Sequence, residues 1–379
     1  MVYPDYNNSI VNFTSSILKT FNVNSQYSSL SELDDLKKYK NIVFILIDGL
    51  GYEYLKKYGQ GSCLKEHCIK KITSVFPSTT ASATTTLETG VAPQQHGITG
   101  WFMFLKEIGV VTKILPFKPR YGGLNFTNNK IKRNDIYLEK RIGDKIKFSN
   151  YVIYPDKIVD GKVNKESKKL LSYNNLNHLI SQIVKTVKSS NRRKYIYAYW
   201  DKFDDLCHKK GCASEGAYKH FCQLDKKISS LNKSLKGTNT ALIITADHGQ
   251  IDTEKSKVIF VQDHPKLYET LTMPLCGEPR LAYCYVHPDK AKQFEDYIKN
   301  NLDYCGELHK SIDLLNNGVF GLFNANKNLA DRIGDYILVM KDNYIIKDYL
   351  LTEKIKFNIG NHGGTSEDEM FVPLIRFNY

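Results

Sequence analysis

Three short runs along the chain are apolar at every position rather than at every second one. Ile42 to Ile47 reads IVFILI and ends in Asp48-Gly49. Tyr195 to Trp200 reads YIYAYW and leads into Asp201. Ala241 to Thr245 reads ALIIT and leads into Ala246-Asp247. A strand exposed on one face alternates apolar and polar residues, so an unbroken run predicts a strand covered on both faces, as in a parallel sheet. KKITSVFPSTTASATTTLETG adds a short strand, a proline-containing turn and a helix of small residues. A last apolar strand follows GNHGG near the C-terminus. Between the strands, segments such as EGAYKHFCQLDKKISSLNKSL carry apolar residues at helical spacing. Strands alternating with helices predict an α/β fold with a doubly wound, mostly parallel sheet and helices on both faces. Functional groups in such sheets collect at the carboxyl ends of strands. Asp48, Asp247 and the Thr79-Thr80 turn fall there.

Two stretches break this rhythm, at about 102–190 and 262–356. The first holds aromatic and basic segments and the polar run DKIVDGKVNKESKK. The second holds RLAYCYVH followed by the amphipathic DKAKQFEDYIKNNL. Both are expected as insertions on the strand-end side, forming a cap on a single domain that spans 1–379. Residues 1–35 read as a polar lead segment with one or two short helices.

Bulk properties narrow the function. With 379 residues, 42% hydrophobic and 25% charged, the chain has ordinary globular usage, which excludes disorder as the default. Its formal net charge of +13 favours an anionic partner such as a phosphate ester. No interleaved aromatic and basic motif appears, so a nucleic-acid partner is not expected. No apolar run approaches the roughly 20 residues of a membrane span. The N-terminus lacks the pattern of a signal peptide, and with eight cysteines the expectation is a cytoplasmic protein with free thiols.

The acidic and imidazole residues then stand out. Asp48 ends the first strand. Asp204 and His208 in DDLCH are spaced i, i+4 and share one face of a helical turn. Asp247 and His248 are adjacent in ADHG, and His362 lies in GNHGG. Carboxylate oxygen and neutral imidazole nitrogen suit Zn²⁺, Mn²⁺ or Fe²⁺. Six such side chains exceed what one open catalytic metal needs and suit two metals, which lie roughly 3.5–4 Å apart in sites that displace at phosphorus. A hydroxyl of PSTT at a strand-to-helix turn is then a candidate nucleophile, backed by helix N–H groups that attract phosphate. Asp201 and Asp205 flank Asp204 as alternative ligands. His96 reads as a structural hydrogen-bonding residue.

FILIDGLG, FPSTTASATTTLETGVAPQQHGI, DDLCHKKG, ADHGQ and GNHGG occur in an order that resembles the type I phosphodiesterase/nucleotide pyrophosphatase family of the alkaline phosphatase superfamily. The resemblance covers roughly residues 42–363 and leaves the insertions unassigned. It implies hydrolysis of phosphodiester or pyrophosphate bonds, with nucleotides as the expected substrates. It further implies two divalent metal ions, zinc in the first instance, and a covalent phosphothreonine intermediate. One metal would be held by Asp48, Thr80, Asp247 and His248, and the other by Asp204, His208 and His362. The nucleophile would be Thr80 rather than Thr79 or Ser78. Trp101 stands where the family's eukaryotic nucleotide pyrophosphatases carry an asparagine that contacts the phosphoryl group. Trp101 and Phe102 are expected to border the substrate, and the backbone N–H groups of Thr80 and Ala81 to donate to it.

Overall fold

The computed structural model describes residues 1–158, 169–351 and 353–378. Most of the polar run DKIVDGKVNKESKK lies outside these described residues. Seven strands form the main sheet: β1 (Asn41–Ile47), β2 (Cys68–Thr73), β3 (Ser149–Pro155), β4 (Leu170–Tyr173), β5 (Lys194–Trp200), β6 (Thr240–Thr245) and β7 (Phe371–Asn378). Their order is β2-β7-β6-β1-β5-β3-β4. The three unbroken apolar runs are the central strands. β1, β5 and β6 are buried at every position, and β1 pairs in parallel with both others. β7 runs antiparallel to β6 and β2, so the sheet is mostly parallel. Leu46 sits opposite both Tyr199 and Thr245. The three strands therefore end at one level, and the acidic residues that follow them meet there.

Helix α1 (Ile10–Thr20) is buried except at Lys19 and packs on α2 (Thr80–Thr89). The helices expected within residues 1–35 are present, but this one is a buried part of the core rather than a polar lead. Its Thr14, Ser16 and Thr20 hydroxyls donate to carbonyls of the preceding turn, at 3.1, 3.0 and 2.8 Å. Polar side chains that satisfy themselves within a helix can be buried without leaving a donor unpaired. The small residues of α2 let the two helices approach. At its end Gly90 has φ 79°, and a Cβ there would lie 2.7 Å from Leu18 Cδ1. Only glycine fits that left-handed C-terminal turn.

A second, antiparallel sheet is ordered Gly306–Lys310, Tyr336–Met340, Leu281–Cys284, Cys276–Glu278, Phe102–Leu105, Val110–Lys113, Lys118–Pro119. Strands from both expected insertions join in it, through the pairing of Phe102 with Gly277. The boundaries at 102–190 need correction. β3, β4 and α3 (Leu176–Lys188) return to the main sheet, with β3 parallel to β5. Periodicity reports a strand's exposed face but not which sheet receives it. Among the described residues no helix is long and apolar enough to cross a membrane, and all eight cysteines are unpaired.

A buried ion pair ties the two sheets together. Arg280 Nη2 and Nε reach Glu369 Oε2 and Oε1 at 2.9 and 3.1 Å, with both side chains 1% exposed or less. Glu369 also accepts the Gly364 N–H at 2.8 Å, near His362. Removing one partner strands a buried charge, so Glu369→Ala is expected to cost about 3–5 kcal/mol in urea unfolding. Replacing both residues with methionine and leucine is expected to cost less. A loss under 1 kcal/mol for Glu369→Ala would show that the pair contributes little.

Candidate active site

The strand ends bring most of the predicted residues together. Thr80 opens α2 after the extended Thr79 (φ −130°, ψ 151°), and its Oγ1 lies 3.0 Å from His248 Nε2. The same nitrogen is 3.4 Å from Asp48 Oδ1 and 3.6 Å from Asp247 Oδ2. Asp48, Asp247 and His248 present ligand atoms within 4.8 Å of one another, as do Asp204, His248 and His362. The rings of His248 and His362 stack at 3.8 Å. His208 Nε2 meets Asp204 Oδ2 at 3.3 Å, while His208 belongs to neither 4.8 Å group. The expected division into two ligand sets is therefore blurred: His248 joins both groups, and His208 lines the same cleft beside Asp204 without joining either.

Backbone carbonyls orient two imidazoles. His208 Nδ1 is 2.7 Å from the Gly360 carbonyl, and His248 Nδ1 is 2.9 Å from that of Gly249. A carbonyl can only accept, so each Nδ1 carries a proton, and Nε2 is the ring atom turned toward the carboxylates. An Nδ1–H held by a carbonyl is the arrangement that presents Nε2 to a metal.

The electrostatics point the same way. Burial, then the charges of Asp247 and Asp204, hold the Asp48 carboxyl well above the usual range. Burial also raises Asp247, with Asp204 adding to it and His248 opposing. Burial, then His248 and His208, push His362 well below an ordinary histidine. Asp48 Oδ1 and Asp247 Oδ2 are buried with no hydrogen-bond donor. Buried carboxylates facing imidazole nitrogens, with oxygens left unpaired, fit divalent cations.

Asp205 turns outward to Lys209 at 2.7 Å, and Asp201 pairs with Lys157 at 2.5 Å, so Asp204 is the acid of this segment that faces the histidines. His96 accepts the Ile98 N–H at 3.0 Å and lies 3.1 Å from Thr86 Oγ1; burial, then Arg332, lowers it to about 3. It is a neutral ring beneath α2.

Trp101 and Phe102 line one cleft of about 640 Å³ with Thr80, Asp48 and His362. The Ala81 side chain lies in an apolar cluster with Ile98 and Met103, and Ala81 is not among the residues that line this cleft. Three polar contributors escaped sequence reading. Tyr199 donates its hydroxyl to Asp48 Oδ2, and Gln250 Nε2 donates to Asp204 Oδ1. Glu278 accepts from Thr79 and Trp101. Tyr199 is hidden in an apolar strand and Glu278 in an unassigned insertion. Gln250 had a signal, its place directly after ADHG.

Residues 42–365 match the family described as type I phosphodiesterase / nucleotide pyrophosphatase. Among solved structures, murine ectonucleotide pyrophosphatase/phosphodiesterase 5 is similar at 18% identity and a TM-score of 0.66, over 88% of this chain and 87% of that one. An inactive threonine-to-alanine variant of that protein has been solved with AMP. Phosphonoacetate hydrolase from Sinorhizobium meliloti 1021, in complex with phosphonoformate, is similar at 17% identity and a TM-score of 0.62, over 89% and 90% of the two chains. No match is found among curated proteins.

Proposed function

Since this chain belongs to the type I phosphodiesterase/nucleotide pyrophosphatase family, and is thereby a phosphoric ester hydrolase, we propose that it cleaves phosphodiester or pyrophosphate bonds of nucleotides through a phosphothreonine on Thr80. The observation that carries this is Thr80 Oγ1, at the head of α2, 3.0 Å from His248 and beside two overlapping carboxylate–imidazole groups. In this reading Asp48, Thr80, Asp247 and His248 hold one divalent cation, and Asp204, His208 and His362 hold another, zinc before manganese or iron. Bound there, the cations supply charge stabilisation at the phosphoryl oxygens and lower the pKa of a hydroxyl or water.

The chain's own groups do the rest. Thr80 Oγ1 attacks phosphorus in line, the bond to the leaving oxygen breaks, and water later releases the phosphoryl group from Thr80. First-turn N–H groups of α2, those of Thr80 and Ala81, donate to the phosphoryl oxygens, where the helix end also favours negative charge. Trp101 and Phe102 border the organic part of the substrate, and the second sheet acts as the cap.

A screen of nucleotide diesters and a nitrophenyl diester against the matching monoester, with zinc or manganese, tests the reading. Clear preference for the monoester, or for a phosphonate, would move the activity to a monoesterase or phosphonate hydrolase on the same core. Tyr199→Phe carries a separate expectation. Without its hydroxyl Asp48 loses an orienting donor, and metal affinity should fall about 10–100-fold in a calorimetric titration. Unchanged affinity would limit Tyr199 to packing.

A further inference from the structure

Thr79 occupies the N-cap of α2, where a threonine hydroxyl ordinarily accepts the N–H of the second or third helical residue. Here it makes no such bond. Its Oγ1 instead donates to Glu278 Oε1 at 2.5 Å, across 199 positions of sequence. The same oxygen accepts the Trp101 N–H at 2.7 Å. Behind it, Gly363 has φ 109°, and a Cβ there would lie 2.7 Å from Glu278 Cβ. A buried carboxylate from the second sheet thus clasps the residue before Thr80, the segment of Trp101 and the glycine after His362. Ser78, one residue before the cap position, has its hydroxyl turned to the Gly364 carbonyl, to which it donates at 2.7 Å.

A cap bond to the Ala81 N–H would occupy one of the donors that a phosphoryl oxygen needs, and one to Ser82 would hold the Thr79 hydroxyl over the same first turn. We propose that Glu278 is a positioning residue: by holding the Thr79 hydroxyl it prevents Thr79 from capping its own helix, and so keeps the first-turn donors of α2 open to substrate. The role rests on Thr80 being the nucleophile. It also accounts for a site that works with Trp101 at the asparagine position, since backbone donors then carry more of the phosphoryl contact.

The test separates activity from stability. Glu278→Ala frees the Thr79 hydroxyl to cap, so kcat/KM on a nitrophenyl diester should fall about 10–100-fold, approaching the loss of one donor to a developing oxyanion. The thermal midpoint should stay level or rise, which a structural prop would not allow. Adding Thr79→Ala to Glu278→Ala removes the competing hydroxyl and should recover at least tenfold of a hundredfold loss. Glu278→Met keeps the volume and carries the same expectations if alanine leaves too large a cavity. Activity of Glu278→Ala within about threefold of the parent, or no recovery in the double variant, would overturn the proposal. So would failure of both Glu278 variants to fold, which would make Glu278 a part of the scaffold. Should the parent protein turn over no phosphate ester, the phosphodiesterase reading fails first. A crystal structure of Glu278→Met then still decides this one, by whether Thr79 Oγ1 bonds the Ala81 or Ser82 N–H.

Discussion

Thr80→Ala is expected to lower kcat/KM on a nitrophenyl phosphodiester by at least about a thousandfold, because removing a nucleophile removes the covalent route altogether. The methyl side chain keeps the start of α2, and Thr80 is only partly buried, so the thermal midpoint should barely move. Metal content should fall little, since Asp48, Asp247 and His248 supply their own donors. Acid quenching of the parent enzyme during turnover, followed by peptide mass spectrometry, should find phosphate on Thr80. A variant within tenfold of the parent, or phosphate found on Thr79 or Ser78, would move the nucleophile.

Stripping divalent cations with a chelator should abolish turnover and lower the thermal midpoint, with both restored by zinc or manganese. Asp48 and Asp247 are fully buried, close to Asp204, and two of their oxygens face no donor. Such a cluster costs free energy until cations offset it. A ligand that binds only the folded state adds about 2.7 kcal/mol at a hundred times its Kd, enough to shift the midpoint by several degrees. Chelator-insensitive turnover with an unmoved midpoint would mean that the carboxylates serve some other purpose.

Much of the candidate site was readable because its residues sit in short motifs at predictable places. An apolar run ending in Asp-Gly marks both a central strand and the group at its end. The i, i+4 spacing of Asp204 and His208 marks a shared helix face, and the pair meets at 3.3 Å. The second tier was not readable. Tyr199 looks like strand filling until the fold turns its hydroxyl to Asp48. The ligand grouping was only partly legible, since stacking of His248 on His362 depends on how two distant loops pack.

What the sequence determined alone is whatever depends on local order: three doubly covered strands, a helix of small residues behind a hydroxyl-rich turn, and the chemical types offered at the strand ends. What only tertiary structure decided is whatever depends on partners far along the chain. The merging of two insertions into one sheet, the return of β3 and β4 to the main sheet, and the clasp of Glu278 on Thr79 are of this kind. A strand's periodicity records that one face will be covered but not by what, and a carboxylate carries no local mark of the hydroxyl it will meet.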